Sequence, residues 1–504
     1  MEILGLLDIP GCLLVPVGLI MALCLYSWHK QSYFRRLGLP TKPTTLILGD
    51  MPLQFKKGFG YIDVESIQKY GKVFGTYLGS CPSLVVADAD IIKHIMVKDF
   101  SNFTDRKALF PVGRQMHRLM NLAEGKYWRL LRTSFSAAFT SGKIRPMSSY
   151  ISRCLVRLEK NVVKQNEEHP DGFDINPLVK SFTMDVILNV GFGVEVDAQN
   201  NPDNPYVRHA YGFLKFSGKN LLFILFLLFP EISMVSKFFN FSFIPEESRQ
   251  FFRSASRALI EDRRSEKQPE THRDLLQLLI DAKDKSDQSD GNGEQLTDED
   301  IIGNSNVFMI AGFDTTASTL SWLVYDLVTH PDIQDKLIAE IDEKLAGEEP
   351  NYDNVFGMSY LDMVVSETLR MHPVAPKLIR QGSQPMEICG VRIPEGIEIH
   401  IPVTTLHFMP EYWEQPEVYN PERFSPENKA KIEPYAYLPF GQGPRNCIGM
   451  RLALLELKMT AAFLLQRFRF RRAPGLKVPM PIATMFVVRP GAPVLVTVET
   501  RNRN

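Results

Sequence analysis

The sequence has no excess of charge of either sign. Lys and Arg number 57 and Asp and Glu 58, for a formal net charge of −1, which excludes a strongly basic nucleic-acid binder; no nucleic-acid partner is expected. It has no internal repeat, and its 32 Gly and 34 Pro are too few and too aperiodic for a collagen-like or low-complexity chain. Cysteine is scarce. Cys12, Cys24, Cys81, Cys154, Cys389 and Cys447 form no C-x-x-C pair, so neither a disulfide framework nor a Cys-rich zinc site is expected, and the usage fits a reducing compartment. The ten histidines lack metal-ligand spacing; His372 and His407 lie near motifs and are read as structural. What remains, 44% hydrophobic and 23% charged residues, is ordinary globular composition.

Charge is also missing from Ile9 to Trp28. Twenty helical residues span about 30 Å, the thickness of a bilayer core. Glu2 and Asp8 precede the run and Lys30, Arg35, Arg36 and Lys42 follow it. The positive-inside rule then leaves the rest of the chain in the cytosol. A cleaved signal peptide wants the opposite flanks. Residues 1–29 are therefore expected to be an uncleaved single-pass anchor, and the sequons at Asn102 and Asn240 to carry no glycan.

Length suggests about three domains, but no convincing boundary is visible, so residues 30–504 are expected to form one catalytic domain. The polar stretch from Asp281 to Asp300 reads as an exposed loop between two helices. Thr297 is a good N-cap for the second, and Asp298, Glu299 and Asp300 load its first turn with acid. That helix can run to Thr329, where His330-Pro331 stops it. Its apolar middle predicts a central, buried position. Most other segments read helical. Lys72–Val86, Val391–Val403 and Met485–Thr500 read as short sheet pieces. The fold class is mainly α with small β-sheets.

Near the C-terminus stands Phe440-Gly441-Gln442-Gly443-Pro444-Arg445-Asn446-Cys447-Ile448-Gly449, followed by helical periodicity from Met450 to Phe468. Cys447 thus sits where a loop enters a helix, and backbone N–H groups there favour a thiolate. Gly441 and Gly443 let the loop lie close to something flat, Gly449 does the same for the helix, and Phe440 can shield the sulfur. A thiolate is a soft ligand, and haem iron is one of its partners. Glu367 and Arg370 share a helix face at i and i+3 in an apolar neighbourhood. Within the long helix lies Ala311-Gly312-Phe313-Asp314-Thr315-Thr316. Its small residues leave space beside the helix. The Thr315 hydroxyl can bond a carbonyl one turn back, and Asp314 supplies an acid.

These three motifs resemble the cytochromes P-450: the haem loop F-x-x-G-x-R-x-C-x-G at every fixed position, E-x-x-R at Glu367 and Arg370, and A-G-x-[DE]-T-T at Ala311 to Thr316. The resemblance implies the cytochrome P-450 fold and haem b, with Cys447 as the axial iron ligand. It implies Asp314 and Thr315 as the oxygen-activating pair with Ala311 beside the iron. A structural network of Glu367, Arg370 and Arg423 is implied as well. Trp128 and Arg132 match the family's W-x-x-x-R helix, and Arg106, Arg380 and Arg445 match further propionate-binding arginines. Candidate pocket residues by the same resemblance are Phe110, Leu119, Ile310, Val374, Ala375 and Met485.

The chain is most similar in pattern to family 3 and its neighbour thromboxane synthase, on Phe139 to Lys143, Tyr360 to Val365 and Gly443 to Met450. Its proline-rich hinge near Pro40 and Pro43 is thinner than usual. An NADPH-dependent monooxygenase of lipophilic substrates (steroid, fatty acid or xenobiotic) is implied, anchored in the endoplasmic reticulum membrane. Its electron donor would be NADPH–cytochrome P-450 reductase, with cytochrome b5 as a further partner. Lys126 and Arg129 are candidates for the reductase-docking patch, against the commoner reading of a solvated helix face. An endoperoxide isomerase and a non-catalytic haem binder are the alternatives; the isomerase resemblance implies loss of the Thr present here at 315. Leu221 to Phe229, nine unbroken apolar residues, is read as a segment dipping into the bilayer near the substrate entrance, with core packing as the alternative.

Overall fold

The computed structural model describes residues 11–58, 64–106, 117–201, 203–214, 221–229, 245–265, 274–287, 295–484 and 487–501. The helices that frame the site are α1 (Gly11–Gln31), α2 (Gly125–Ser136), α3 (Ser148–Glu168), α4 (Asn176–Phe192), α5 (Leu221–Leu228), α6 (Glu246–Ser265), α7 (Leu275–Asp287), α8 (Asp298–Thr329), α9 (Ser359–Met371) and α10 (Met450–Arg467). The strands are β1 (Val73–Leu78), β2 (Cys81–Val86), β3 (Phe173–Asp174), β4 (Leu378–Gln381), β5 (Met386–Ile388), β6 (Val391–Ile393), β7 (Glu398–Ile401), β8 (Phe468–Arg472), β9 (Ile482–Thr484), β10 (Val488–Pro490) and β11 (Leu495–Thr500). They form one four-stranded sheet ordered β1-β2-β7-β4, a three-stranded sheet β3-β11-β8, and the hairpins β5-β6 and β9-β10. The mainly helical class holds, and each expected sheet piece contains strands.

The long helix α8 starts and stops where its end signals lie. The Thr297 hydroxyl accepts from the Asp300 N–H and the Asp300 carboxylate accepts from the Thr297 N–H, a capping box. His330 closes the other end. Among the described residues it is the only helix long and apolar enough to cross a membrane, but most of its apolar stretch is packed inside the protein. It is a core helix. A Cβ at Gly312 would stand 2.8 Å from the Ile187 side chain, so glycine there lets α4 lie close against α8.

The exposed-loop expectation for Asp281–Asp300 needs correction at its start. Helix α7 continues to Asp287, because Gln277 donates to Asp281 across one turn at 2.9 Å and Ala282 favours helix. Residues 288–294 lie outside the described set.

Buried apolar side chains fall into two cores. The larger gathers α2, α3, α4, α8, α9 and α10, with Leu131, Leu155, Phe182, Phe313, Leu361 and Leu455 fully or almost fully buried. The smaller lies under the four-stranded sheet, around Leu84, Val85, Ile399 and Ile401. Strand β4 belongs to that sheet and reaches toward the helical core, and this is the sheet's contribution to the site.

Helix α1 presents Val15, Val17, Leu19, Ile20, Met21 and Leu25 to the outside. The Tyr26 ring near its end lies 5.6 Å from Phe229, just beyond α5.

Candidate active site

The cysteine loop is held by backbone bonds. The Cys447 N–H donates to the Phe440 carbonyl at 2.8 Å and the Asn446 N–H to Gly443 at 3.2 Å. Gly441 and Gly443 both adopt positive φ, 70° and 73°. At Gly443 the need for glycine is absolute: a Cβ would lie 1.9 Å from the Met96 carbonyl oxygen. Gly449 caps α10, and a Cβ there would come no nearer than 4.0 Å to Phe139. Arg132 fastens the loop from α2, donating to the Asn446 carbonyl at 2.9 Å and its side-chain oxygen at 2.6 Å.

The Cys447 side chain has free surface, and that surface lines a partly open cavity of about 330 Å³. Burial pushes its thiol pKa up. The N–H groups of Gly449 and Met450 and the charges of Arg132 and Arg106 oppose that shift.

The cavity assembles most of the residues singled out by sequence. Ala311, Thr315 and Thr316 line it from α8, Trp128 and Arg132 from α2, and Arg380 from β4. Arg106, Val374, Ala375, Phe440, Gly441, Arg445 and Cys447 complete the set. The Thr315 hydroxyl donates to the Ala311 carbonyl one turn back at 2.5 Å, and α8 stays continuous through this bond. Asp314 is different. It is buried beside the cavity rather than lining it, and Arg489 of β10 donates to its carboxylate at 3.1 Å.

Three guanidiniums converge because the backbone brings them together. The Gln381 N–H donates to the Asp105 carbonyl at 2.9 Å, which joins the Arg106 segment to β4. The Asp105 carboxylate accepts from the Gly125 N–H at 2.9 Å, which joins the same segment to α2. Arg106 donates to the Arg445 carbonyl at 3.0 Å. Arg445 donates to the carbonyls of Thr104 and Ala123 and lies over the Trp128 ring, 4.9 Å from its centre.

Burial lowers the Arg106 pKa to about 10, despite Cys447 and aided by Arg132. Burial and then Arg106 lower Arg445 to about 9. Burial, Arg106 and Arg445 hold Arg380 well below the ordinary arginine value. The Nε of each has no hydrogen-bond partner, and among the described residues no carboxylate pairs with any of the three. Buried, mutually repelling cations around a cavity call for an anionic occupant. The carboxylates of a haem fit that demand, and the open sulfur of Cys447 fits its iron.

Behind the loop lies the support network. Arg370 grips Glu367 with two bonds, 2.7 and 2.9 Å, and both side chains are fully buried. Arg423 approaches the same carboxylate at 3.4 Å and the Asn420 N–H donates to it at 2.8 Å. Arg370 also donates to the His407 carbonyl at 2.8 Å. His407 bonds the Arg370 carbonyl through Nδ1 at 2.9 Å, and its Nε2 accepts the Leu438 N–H at 2.9 Å. These bonds fix one tautomer, protonated at Nδ1. Burial, then Arg370, lowers the His407 pKa to about 3 despite its backbone bond. His407 is structural, as its sequence context suggested, and it ties the Glu367–Arg370 pair to the chain leading into Phe440.

Of the candidate pocket residues, Leu119 and Ile310 line a second cavity beside the first, and Val374 and Ala375 line the first. Phe110 and Met485 lie outside the described residues. Sequence reasoning did not single out Arg489, nor assign Asn446 its role; it read His407 as structural but did not find its partners. Only Asn446, inside the cysteine motif, carried a local signal.

A mainly helical chain with small sheets and a cysteine loop opening on an arginine-lined cavity defines a narrow class. The cytochrome P450 family profile matches residues 40–498. Cytochrome P450 3A5 of Homo sapiens is 38% identical over 505 residues, covering 100% of this chain and 99% of that protein. Cytochrome P450 3A12 of Canis lupus familiaris is 37% identical over 493 residues, covering 97% and 96%. Lithocholate 6-beta-hydroxylase of Mesocricetus auratus is 35% identical over 505 residues, covering 100% and 99%. The chain belongs to the cytochrome P450 family, within family 3, and is a monooxygenase of that class. Membership implies haem.

Proposed function

We propose that this protein is a membrane-anchored monooxygenase that inserts one oxygen atom of dioxygen into a C–H bond of a lipophilic substrate, the other leaving as water with two electrons and two protons. The observation that carries the reading is the pairing of Cys447, open to the cavity, with the buried guanidiniums of Arg380 and Arg445 and the half-buried one of Arg106, none of which has a carboxylate partner among the described residues. Haem b bound there supplies dioxygen activation, with Cys447 as its iron ligand. Arg106, Arg380 and Arg445 neutralise its propionates, while Trp128 backs Arg445 and Arg132 holds the loop. Phe440 and Gly441, which line the cavity beside Cys447, and Gly449 at the start of α10 would help hold the haem, and Ala311, small, would leave it room. Thr315 presents a hydroxyl to the cavity, and Asp314 is the acid behind it. Glu367, Arg370 and Arg423 act structurally.

Electrons come from NADPH through NADPH–cytochrome P-450 reductase, with cytochrome b5 as a second donor. Lys126 and Arg129, exposed on α2, are part of the docking face. Residues 1–29 anchor the chain in the endoplasmic reticulum membrane. The outward apolar side chains of α1 and the Tyr26–Phe229 contact support that reading, because they put the anchor beside the apolar segment 221–229. Residues 30–504 form the cytosolic catalytic domain. The test is turnover with reductase and NADPH in vesicles, screened over steroids, fatty acids and xenobiotics. Oxygenated product that requires both reductase and NADPH supports the reading; turnover independent of both contradicts it.

A further inference from the structure

The four-stranded sheet holds an ionisable cluster that the haem site does not use. In the register of β4 on β7, Ile379 pairs with His400, Arg380 with Ile399 and Gln381 with Glu398. Side chains alternate along a strand, so Arg380 stands on one face and His400 and Glu398 on the other. Lys377, just before β4, reaches that second face. Its Nζ lies 3.3 Å from His400 Nδ1 and 3.5 Å from Nε2. The Nε2 bonds the Glu398 carboxylate. Glu398 and His400 are buried and Lys377 is half-buried.

The order of the three groups sets their chemistry. The carboxylate fixes the ring proton on Nε2, which leaves the Nδ1 lone pair for the amine. The imidazole is then a base within reach of a nucleophile, and the carboxylate orients the base. Among the described residues no carboxylate pairs with Lys377 directly. Lys72, by contrast, pairs with Glu411 at 2.6 Å, and that bond raises its pKa despite partial burial. Burial lowers the Lys377 pKa to about 8, with Glu398 opposing. Burial, then the charge of Lys377, lowers that of His400, with Glu398 again opposing. An amine that sheds its proton near neutral pH is a nucleophile, and desolvated lysines of this kind form Schiff bases with carbonyl compounds.

We propose that Lys377 is a nucleophilic amine, activated by His400 and Glu398, that captures lipophilic aldehydes as a reversible imine. The neutral amine attacks the carbonyl carbon, and the carbonyl oxygen takes up a proton. His400 Nδ1 removes the proton left on the attacking nitrogen, and Glu398 balances the imidazolium. That proton returns to the new hydroxyl, which leaves as water as the C=N bond forms. Nothing is oxidised or reduced, and water reverses the step. Apolar neighbours set the class of aldehyde: Pro376, Leu378 and Ile379 flank the lysine in the chain, and Val85, fully buried, pairs with His400 across the sheet. Oxygen insertion at a primary carbon that already bears oxygen or nitrogen yields an aldehyde, so the chain's own reaction class supplies the partner. That source rests on the monooxygenase reading; the reactivity of the amine does not.

The test treats full-length, haem-loaded protein in detergent with octanal and cyanoborohydride at neutral pH. Reduction fixes the imine, and peptide mass spectrometry gives the rate at each lysine. Lys377 should be alkylated about tenfold or more faster than Lys126, which is exposed on α2. H400Q should remove most of that advantage and leave the rate at Lys126 unchanged, and E398Q should remove part of it. The Lys377-to-Lys126 ratio should be larger with octanal than with glyceraldehyde; equal ratios overturn the lipophilic class. Alkylation of Lys377 no faster than Lys126 in the parent protein overturns the inference, whether or not the variants fold. An unchanged ratio in H400Q that keeps its haem spectrum overturns the activating role of the imidazole. Either null beside an intact thiolate–haem spectrum and NADPH-dependent turnover fails this inference alone; loss of that spectrum in the parent protein fails the monooxygenase reading instead.

Discussion

Arg489, on the short strand β10, donates to the Asp314 carboxylate at 3.1 Å, so the acid of the long helix is tied to the sheet hairpin rather than free in the cavity. The same hairpin is pinned twice more, by Ser318 Oγ donating to the Val488 carbonyl at 2.7 Å and by the Val488 N–H donating to Val374 at 2.9 Å. In the proposed mechanism, proton supply to the cavity through Asp314 would then depend on a residue about 175 positions away in sequence.

Removing Arg489 leaves Asp314 almost fully buried without its guanidinium. R489Q is expected to lower stability by about 1–3 kcal/mol, measured by denaturant unfolding of the haem-loaded protein. D314N, which removes the charge and the acid together, is expected to cut turnover about a hundredfold or more with substrate affinity preserved. Steady-state rates beside binding titrations check this; unchanged turnover would remove Asp314 from the proton path.

The Glu367–Arg370 pair is fully buried. E367A or R370A strands the partner's charge at a cost of about 3–5 kcal/mol. Because His407 links the pair to Leu438 and so to the cysteine loop, little haem-loaded protein is expected. The haem-to-protein ratio after purification measures it, and a normal ratio in either variant would refute the support role.

Much of this architecture was legible in the residues themselves. The ends of α8 follow from Thr297, Asp300 and His330-Pro331, because capping is local chemistry. The cysteine loop was legible because glycines, an arginine and a thiol at fixed spacing leave few alternatives. Arg106 and Arg380 could be pointed to only through the family resemblance. Their meeting depends on the bridge between Asp105 and Gln381, a long-range pairing that no local pattern encodes. The Arg489–Asp314 bond was not legible at all, since it joins distant segments through a solitary arginine. Strand β4, which carries Arg380, is four residues long, too short for a clear alternation.

His407 sets a pH dependence. Its folded pKa is about 3, against 6.5 for the free side chain. Between those values the unfolded chain binds the proton and the folded one does not. Stability is therefore full above about pH 6.5 and falls as pH drops, by about 1.4 kcal/mol per pH unit from this group. Urea unfolding at pH 7 and pH 5.5 should show the decline. H407Q, which keeps a donor and an acceptor without titrating, should show a shallower slope; an identical slope would contradict the assignment.

Gly443 sits at positive φ, with no space for a Cβ against the Met96 carbonyl. G443A must displace backbone on one side or the other. It is expected to lose haem on gel filtration where G142A, with open space at its Cβ and no part in the loop, keeps it. Equal haem retention by the two variants would show that the loop does not need its observed path.

The most direct measurement is the absorption spectrum of the purified, reduced protein under carbon monoxide, with Cys447 intact and with C447S. The parent protein is expected to show the band of thiolate-ligated haem, and C447S to lose it while remaining folded by circular dichroism. A parent protein without that band, or a serine variant that keeps it, would contradict the assignment of Cys447 as the iron ligand.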